Sequence, residues 1–129
     1  MSKIKAIKLM KGVSAMEVVE IESDDFIDEC YKYINCRCID IVTGSHKGEY
    51  VDIVIDDEGL LKDNAIINPI AWYLYSKCNK RYPIVGNAIL IGTNEDGETI
   101  DVPQLFIDEH DDIIMSVFDK LYGLIKGLD

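Results

Sequence analysis

Twice in this chain an apolar strand runs into an acidic turn closed by glycine and then turns back: "EYVDIVIDDEGLLK", residues 49–62, and "NAILIGTNEDGETIDVP", residues 87–103. A glycine at that place supplies the positive φ that tight turns often need. Loops this short admit only an antiparallel return. The two segments therefore constrain the chain to a sheet built largely from hairpins, with "LLK" expected as the return arm of the first. Near the N-terminus "IKAIKLM" and "MEVVEIES" alternate apolar and polar residues and read as strands joined by "KGVSA". "CRCIDIVTG" reads as a strand ending at Gly44, with "SHKG" as the turn after it.

Three segments carry helical signals. Ser23 can cap a helix with Asp24 and Asp25 in its first turn, and Phe26, Ile27, Cys30, Tyr31 and Ile34 then share one face. Asn68 can cap a second helix with Pro69 at its first position, where no amide hydrogen is missed. That helix, "PIAWYLYSK", carries Trp72, Tyr73 and Tyr75. The C-terminal segment is the longest, with Ile114, Val117, Phe118, Leu121, Ile125 and Leu128 recurring at spacings of three and four. With no linker or repeat in 129 residues, the expectation is one α+β domain over residues 1–129, mainly antiparallel, packed against two or three helices.

Charge bounds the function classes. Thirteen basic against 24 acidic residues give a net charge of −11, which disfavours direct nucleic-acid binding. No apolar run approaches the roughly 18 residues that span a bilayer, and the N-terminal lysines interleave with apolar residues as a signal peptide's do not. The expected location is the cytoplasm. The distribution says more than the total. Residues 1–16 hold four lysines and no acid, whereas residues 17–30 hold seven acids and no base: Glu17, Glu20, Glu22, Asp24, Asp25, Asp28 and Glu29. Lys77, Lys80 and Arg81 form the compact basic group after the N-terminus.

Catalytic and metal signals are weak. The phosphate-binding glycine patterns are absent. His46 and His110 stand in polar, turn-like contexts and read as surface residues. "CRC" is too closely spaced for a zinc pair and lacks further ligands, so the cysteines read as packing. Aligning Gly97 with the invariant glycine of a calcium loop puts Gly92 and Pro103 at the first and twelfth ligand positions, where neither offers a carboxylate. Aligning Gly59 puts Val54 first. The expectation is no catalytic residue, no metal and no cofactor. Two candidate binding sets remain. One is the acidic set Glu17, Glu20, Glu22, Asp24, Asp25 and Asp28. The other is the aromatic and basic set Trp72, Tyr73, Tyr75, Lys77, Lys80 and Arg81, able to anchor a protein partner or stack on the rings of a nucleotide.

An "IDIV" strand, "DDEGLLKDNAIINPIA" and "IVGNAILIG" with its following "EDGE" together resemble the family known as domain of unknown function 3846, over roughly residues 3–102. The resemblance implies a setting in phages, plasmids and other mobile elements, and no activity. With the charge pattern it leads to one expectation. The expected protein is a small acidic accessory protein, not an enzyme, that binds and inhibits a host protein bearing a basic surface, such as a defence component. The acidic set and the "EHDD" start of the last helix would face that partner, and Trp72 and Tyr75 would anchor it. The alternatives are a protein that sequesters a small nucleotide signal and a structural module, including a homo-oligomer built on the last helix.

Overall fold

The computed structural model of the chain describes residues 3–63, 65–76 and 83–126, with the backbone alone at 121, 122 and 124–126. Six strands form one antiparallel sheet: β1 (Lys3–Leu9), β2 (Met16–Glu22), β3 (Ile39–His46), β4 (Glu49–Asp56), β5 (Ala88–Thr93) and β6 (Thr99–Ile100). The order across it is β2-β1-β5-β4-β3, with β6 paired to the end of β5. Among the described residues four α-helices accompany it: α1 (Phe26–Ile34), α2 (Pro69–Ser76), α3 (Gln104–Asp108) and α4 (His110–Lys126). The fold is of the expected α+β class.

The register sorts the apolar residues into two cores. Leu90 of β5 lies opposite Ile7 of β1 and Ile53 of β4, and this face packs against Ile70, Leu74, Phe106, Ile113 and Val117 of α2, α3 and α4. On the other face Ile4, Ala6, Val54, Ile89 and Ile91 pack against Phe26, Cys30 and Ile34 of α1. The sheet is thus the middle of three layers. Its central strand β5 is covered on both sides, which is why "AILIG" is a continuous apolar run and not an alternation.

Local details depart from the sequence expectations for identifiable reasons. Ser23 does not cap α1. It opens a 3-10 turn (Ser23–Asp25), and Asp25 stands at the cap without a side-chain hydrogen bond. Phe26, Cys30 and Ile34 point inward, while Ile27 and Tyr31 are exposed, because a nine-residue helix on a flat sheet buries a single i, i+4, i+8 row. Cys36 and Cys38 precede β3 and are not part of it. The strand continues past Gly44 to His46, since the turn is the two residues Lys47 and Gly48, both at positive φ. "LLK" is no return strand. Gly59–Leu61 form a 3-10 turn, and the Asp57 and Glu58 amides donate to the Cys38 carbonyl and Asp56 Oδ1. Gly59 itself packs against Val85, where a Cβ would come within 2.8 Å of a methyl group.

The expected second hairpin forms. Gly97 has φ +82°, and Asn94 Oδ1 accepts from the amides of Asp96 and Glu98, so the acidic loop is closed by its own hydrogen bonds. The Asn-Pro helix start also forms. Asn68 Oδ1 accepts from the Ala71 amide, and its Nδ2 donates to the carbonyls of Leu9 and Gly86. Gly44 lets α2 lie directly on β3: a Cβ there would sit 3.0 Å from Leu74 and 2.8 Å from Ile53 Cδ1. On α4 the inward residues are Ile113 and Val117, with Ile114 half-buried and Phe118 exposed. The stripe is rotated from the expected one and centres on Ile113 and Val117, which share their core with Phe106 of α3. Leu121 and Ile125 side chains and Leu128 lie outside the described residues.

Candidate functional site

The acidic set occupies one edge of the molecule. β2 is the outer strand, so Glu17 and Glu20 project from an edge with no neighbouring strand beyond it among the described residues. Asp24 and Asp25 follow on the 3-10 turn and Asp28 on the first turn of α1, all exposed. Glu22 is half-buried, and its Oε2 has no hydrogen-bond partner. The six do not share one face. Alternation along β2 sends Glu20 and Glu22 to the α2 side and Glu17 to the α1 side, so the carboxylates wrap around the edge.

The N-terminal lysines lie across from them. Lys3, Lys5 and Lys8 are registered opposite Glu22, Glu20 and Glu17. Directly opposed charges of this kind stabilise an exposed strand pair by a few tenths of a kcal/mol, roughly 0.2–1. Lys8 makes its close ion pair elsewhere, 2.7 Å from Glu29 Oε1, with its ammonium 4.8 Å from the centroid of the Tyr33 ring. That hydrogen bond and the Lys8 charge hold the Glu29 carboxyl below the usual carboxylate range, with Lys32 adding to the effect. Glu17, Glu20, Glu22, Asp24, Asp25 and Asp28 enter no ion pair among the described residues.

The aromatic set lies on the α2 side of the sheet, the side to which Glu20 and Glu22 also turn, and divides. Trp72 and Tyr73 are half-buried and line an apolar hollow of about 800 Å³ with Ile66, Ile67, Pro69 and Val117. Tyr75 is 7% exposed within the core and is not available as an anchor, because its position one turn from Ala71 faces the sheet. Lys77, Lys80 and Arg81 lie outside the described residues. Of the acidic set, Glu20 and Glu22 share the sheet face of α2, whereas Glu17 turns to the face of α1.

A second, smaller hollow of about 230 Å³ lies between Lys11, Asn35, Asp56, Lys62 and Asn87. Its polar groups are already engaged. Lys62 Nζ is 2.5 Å from Asp56 Oδ2 and 3.1 Å from the Asn35 carbonyl oxygen.

Cys30 and Cys36 pack in the core beneath α1, Cys38 does not, and Cys78 lies outside the described residues. Cys30 is fully buried, and burial pushes its thiol up to about 12. Burial also raises the Cys36 thiol, with the Asp56 charge adding to it, while Cys38 is exposed. No third ligand completes a metal set with Cys36 and Cys38 among the described residues.

His110 meets its expectation: it is partly exposed, with Nδ1 2.8 Å from the Ile107 carbonyl oxygen. His46 does not. It is 4% exposed and tilted against the Phe106 ring at 6.5 Å between centroids. It faces inward because β3 extends past Gly44, which places His46 on the same face as Val42 and Gly44, beneath α3 and α4. Its Nε2 lies 3.2 Å from Asp112 Oδ2, yet without the alignment of a hydrogen bond. Lys47, beside it in the turn, contacts both Glu109 and Asp112, and these bonds hold its ammonium above the usual lysine range.

Over residues 4–114 the chain matches the family described as a domain of unknown function (DUF3846). No curated protein and no solved structure matches it. Among the described residues, no helix is long and apolar enough to cross a membrane.

Proposed function

The chain belongs to the DUF3846 family, and from that premise we propose that it is a phage or mobile-element accessory protein acting by stoichiometric binding to a host protein, which it inhibits. The observation that carries this reading is the exposed carboxylate group at the β2 edge: Glu17, Glu20, Asp24, Asp25 and Asp28, without an ion pair among the described residues. A free strand edge offers backbone donors and acceptors to an incoming strand, and the acids beside it favour a basic partner. Complementary charge of this kind raises the association rate and suppresses acidic competitors. The reading assigns no catalytic group and places the protein in the host cytoplasm.

A second reading has its own support. The hollow beside Trp72 and Tyr73 has a volume typical of small-molecule sites, which run from roughly 300 to 1,000 Å³. Its apolar wall and two aromatic rings suit a flat ring system such as the base of a nucleotide signal.

Native mass spectrometry of the protein purified gently from its host cell separates the two. A co-purifying protein in 1:1 ratio, displaced by raised salt, supports the inhibitor reading. A small added mass that is lost in Trp72→Ala supports the ligand reading. A bare monomer from host cells in which the protein is functional contradicts both.

A further inference from the structure

We propose that His46, Glu109 and Asp112 bind one divalent first-row transition-metal ion, zinc being the ion that the donor set fits best. The three come from the tip of the β3–β4 hairpin and from the junction of α3 and α4, and their donor atoms all lie within 4.8 Å of one another. His46 supplies the independent sign of a ligand. Its ring is 4% exposed, and Nε2 faces Asp112 but has no hydrogen-bond partner. A buried ring nitrogen left in this state is costly, and donating its lone pair to a metal ion satisfies it.

Charge favours the same conclusion. Glu109 and Asp112 bring two negative charges, and the Lys47 ammonium now sits between them, leaving one uncompensated. Lys47 is half-exposed on a flexible stem, so it can swing into solvent and yield its place to a doubly charged ion. The N-terminus of α4 opposes a cation with about half a positive charge, which two full carboxylates outweigh.

The donor types select the metal. One imidazole and two carboxylates, with no thiolate, suit zinc and its first-row neighbours, whereas calcium and magnesium prefer oxygen alone. Zinc bonds of about 2.0–2.1 Å imply donor separations of roughly 3.4 Å in a tetrahedron. The His46–Asp112 distance of 3.2 Å already meets this. The widest separation in the group must contract by up to roughly 1.5 Å, within reach of the flexible Glu109 side chain. Three protein donors leave the fourth position to water.

The test uses the full-length chain stripped with chelator and titrated with zinc chloride, followed by calorimetry and thermal unfolding. The expected result is one ion per chain and a rise in melting temperature of roughly 5 °C or more when free zinc is about 100-fold above its dissociation constant. Glu109→Gln and Asp112→Asn, both at partly exposed positions that leave the core intact, should each weaken binding at least about tenfold. Lys47→Ala should tighten it, because the competing ammonium is gone. His110→Gln should leave it unchanged. Absence of binding to the native chain overturns the proposal. So does binding retained in Asp112→Asn and Glu109→Gln, weakened in Lys47→Ala, or lost in His110→Gln, which would move the ion to the exposed His110–Asp111 pair.

Discussion

Asn68 Nδ2 and the Leu9 carbonyl oxygen form a buried hydrogen bond of 2.9 Å between residues 59 positions apart in the chain. The same amide donates to Gly86, and its oxygen caps α2 through the Ala71 amide. One fully buried side chain therefore ties together β1, the approach to β5 and the start of a helix.

Asn68→Ala removes the cap and leaves two carbonyls without this donor, at a cost of about 2–4 kcal/mol in chemical denaturation. Asn68→Asp should be at least as damaging, because it sets an acceptor against two other acceptors. Equal stability of Asn68→Asp and the native chain would show that the two donor bonds contribute nothing.

The glycines divide by what a Cβ would meet. At Gly92 it would lie 2.4 Å from the Asp101 carbonyl oxygen, and at Gly44 within 3.0 Å of Leu74. Gly48 has open space and only its φ of +82° to lose. Gly92→Ala should destabilise most and Gly44→Ala by about 1–3 kcal/mol. Gly48→Ala should cost about 1 kcal/mol, from backbone conformation alone. Thermal unfolding of the three variants gives the ranking; Gly48→Ala as the worst would contradict it.

Charge reversal at Glu20, Asp24, Asp25 and Asp28 should weaken capture of the proposed host partner at least about tenfold and steepen no unfolding curve, since all four are exposed. The loss should appear mainly in the association rate and shrink at high salt. Unchanged capture would remove this edge from the contact surface.

The Glu29–Lys8 pair has a definite pH signature. A carboxyl lowered in the folded state contributes stability above its unfolded value of about 4.3, and loses it as pH falls through the lower folded value. Relief of the overall negative charge at acid pH acts in the opposite sense and is shared by every variant. The native chain should therefore lose urea resistance between about pH 5 and pH 3 more steeply than Glu29→Gln. Parallel profiles would mean that this partly exposed pair contributes no net stability.

What the sequence made legible was local. The Asn-Pro start of α2, the alternation of β1, β2 and β4 and the closed turn after β5 are each specified within about ten residues, and all three form. Failures came where a distant contact decides. "LLK" carries apolar residues like a strand, but Val85 and the Cys38 carbonyl hold its turn in another path. Five residues of α3 are too short to show a helical period, although Phe106 is among the most buried side chains. His46 reads as polar turn because its surroundings, Phe106, Glu109 and Asp112, arrive more than 55 positions later. The acidic run was visible, but its lysine counterparts across β1 and its division between two faces needed the register.

The place of β5 between β1 and β4 has a consequence for the growing chain. The two N-terminal hairpins share no hydrogen bonds with each other; each joins the sheet only through Ala88–Thr93. An isolated hairpin is marginal in water. The residues from 57 to 93 take roughly 2–7 s to synthesise at about 5–20 residues per second, far longer than the microseconds a hairpin needs to form or melt. Until β5 is made, the inner edges of β1 and β4 have no strand to pair with, and exposed edges of this kind are where strands mispair. Residues 88–93 are what joins the hairpins of residues 3–22 and 39–56 into one sheet.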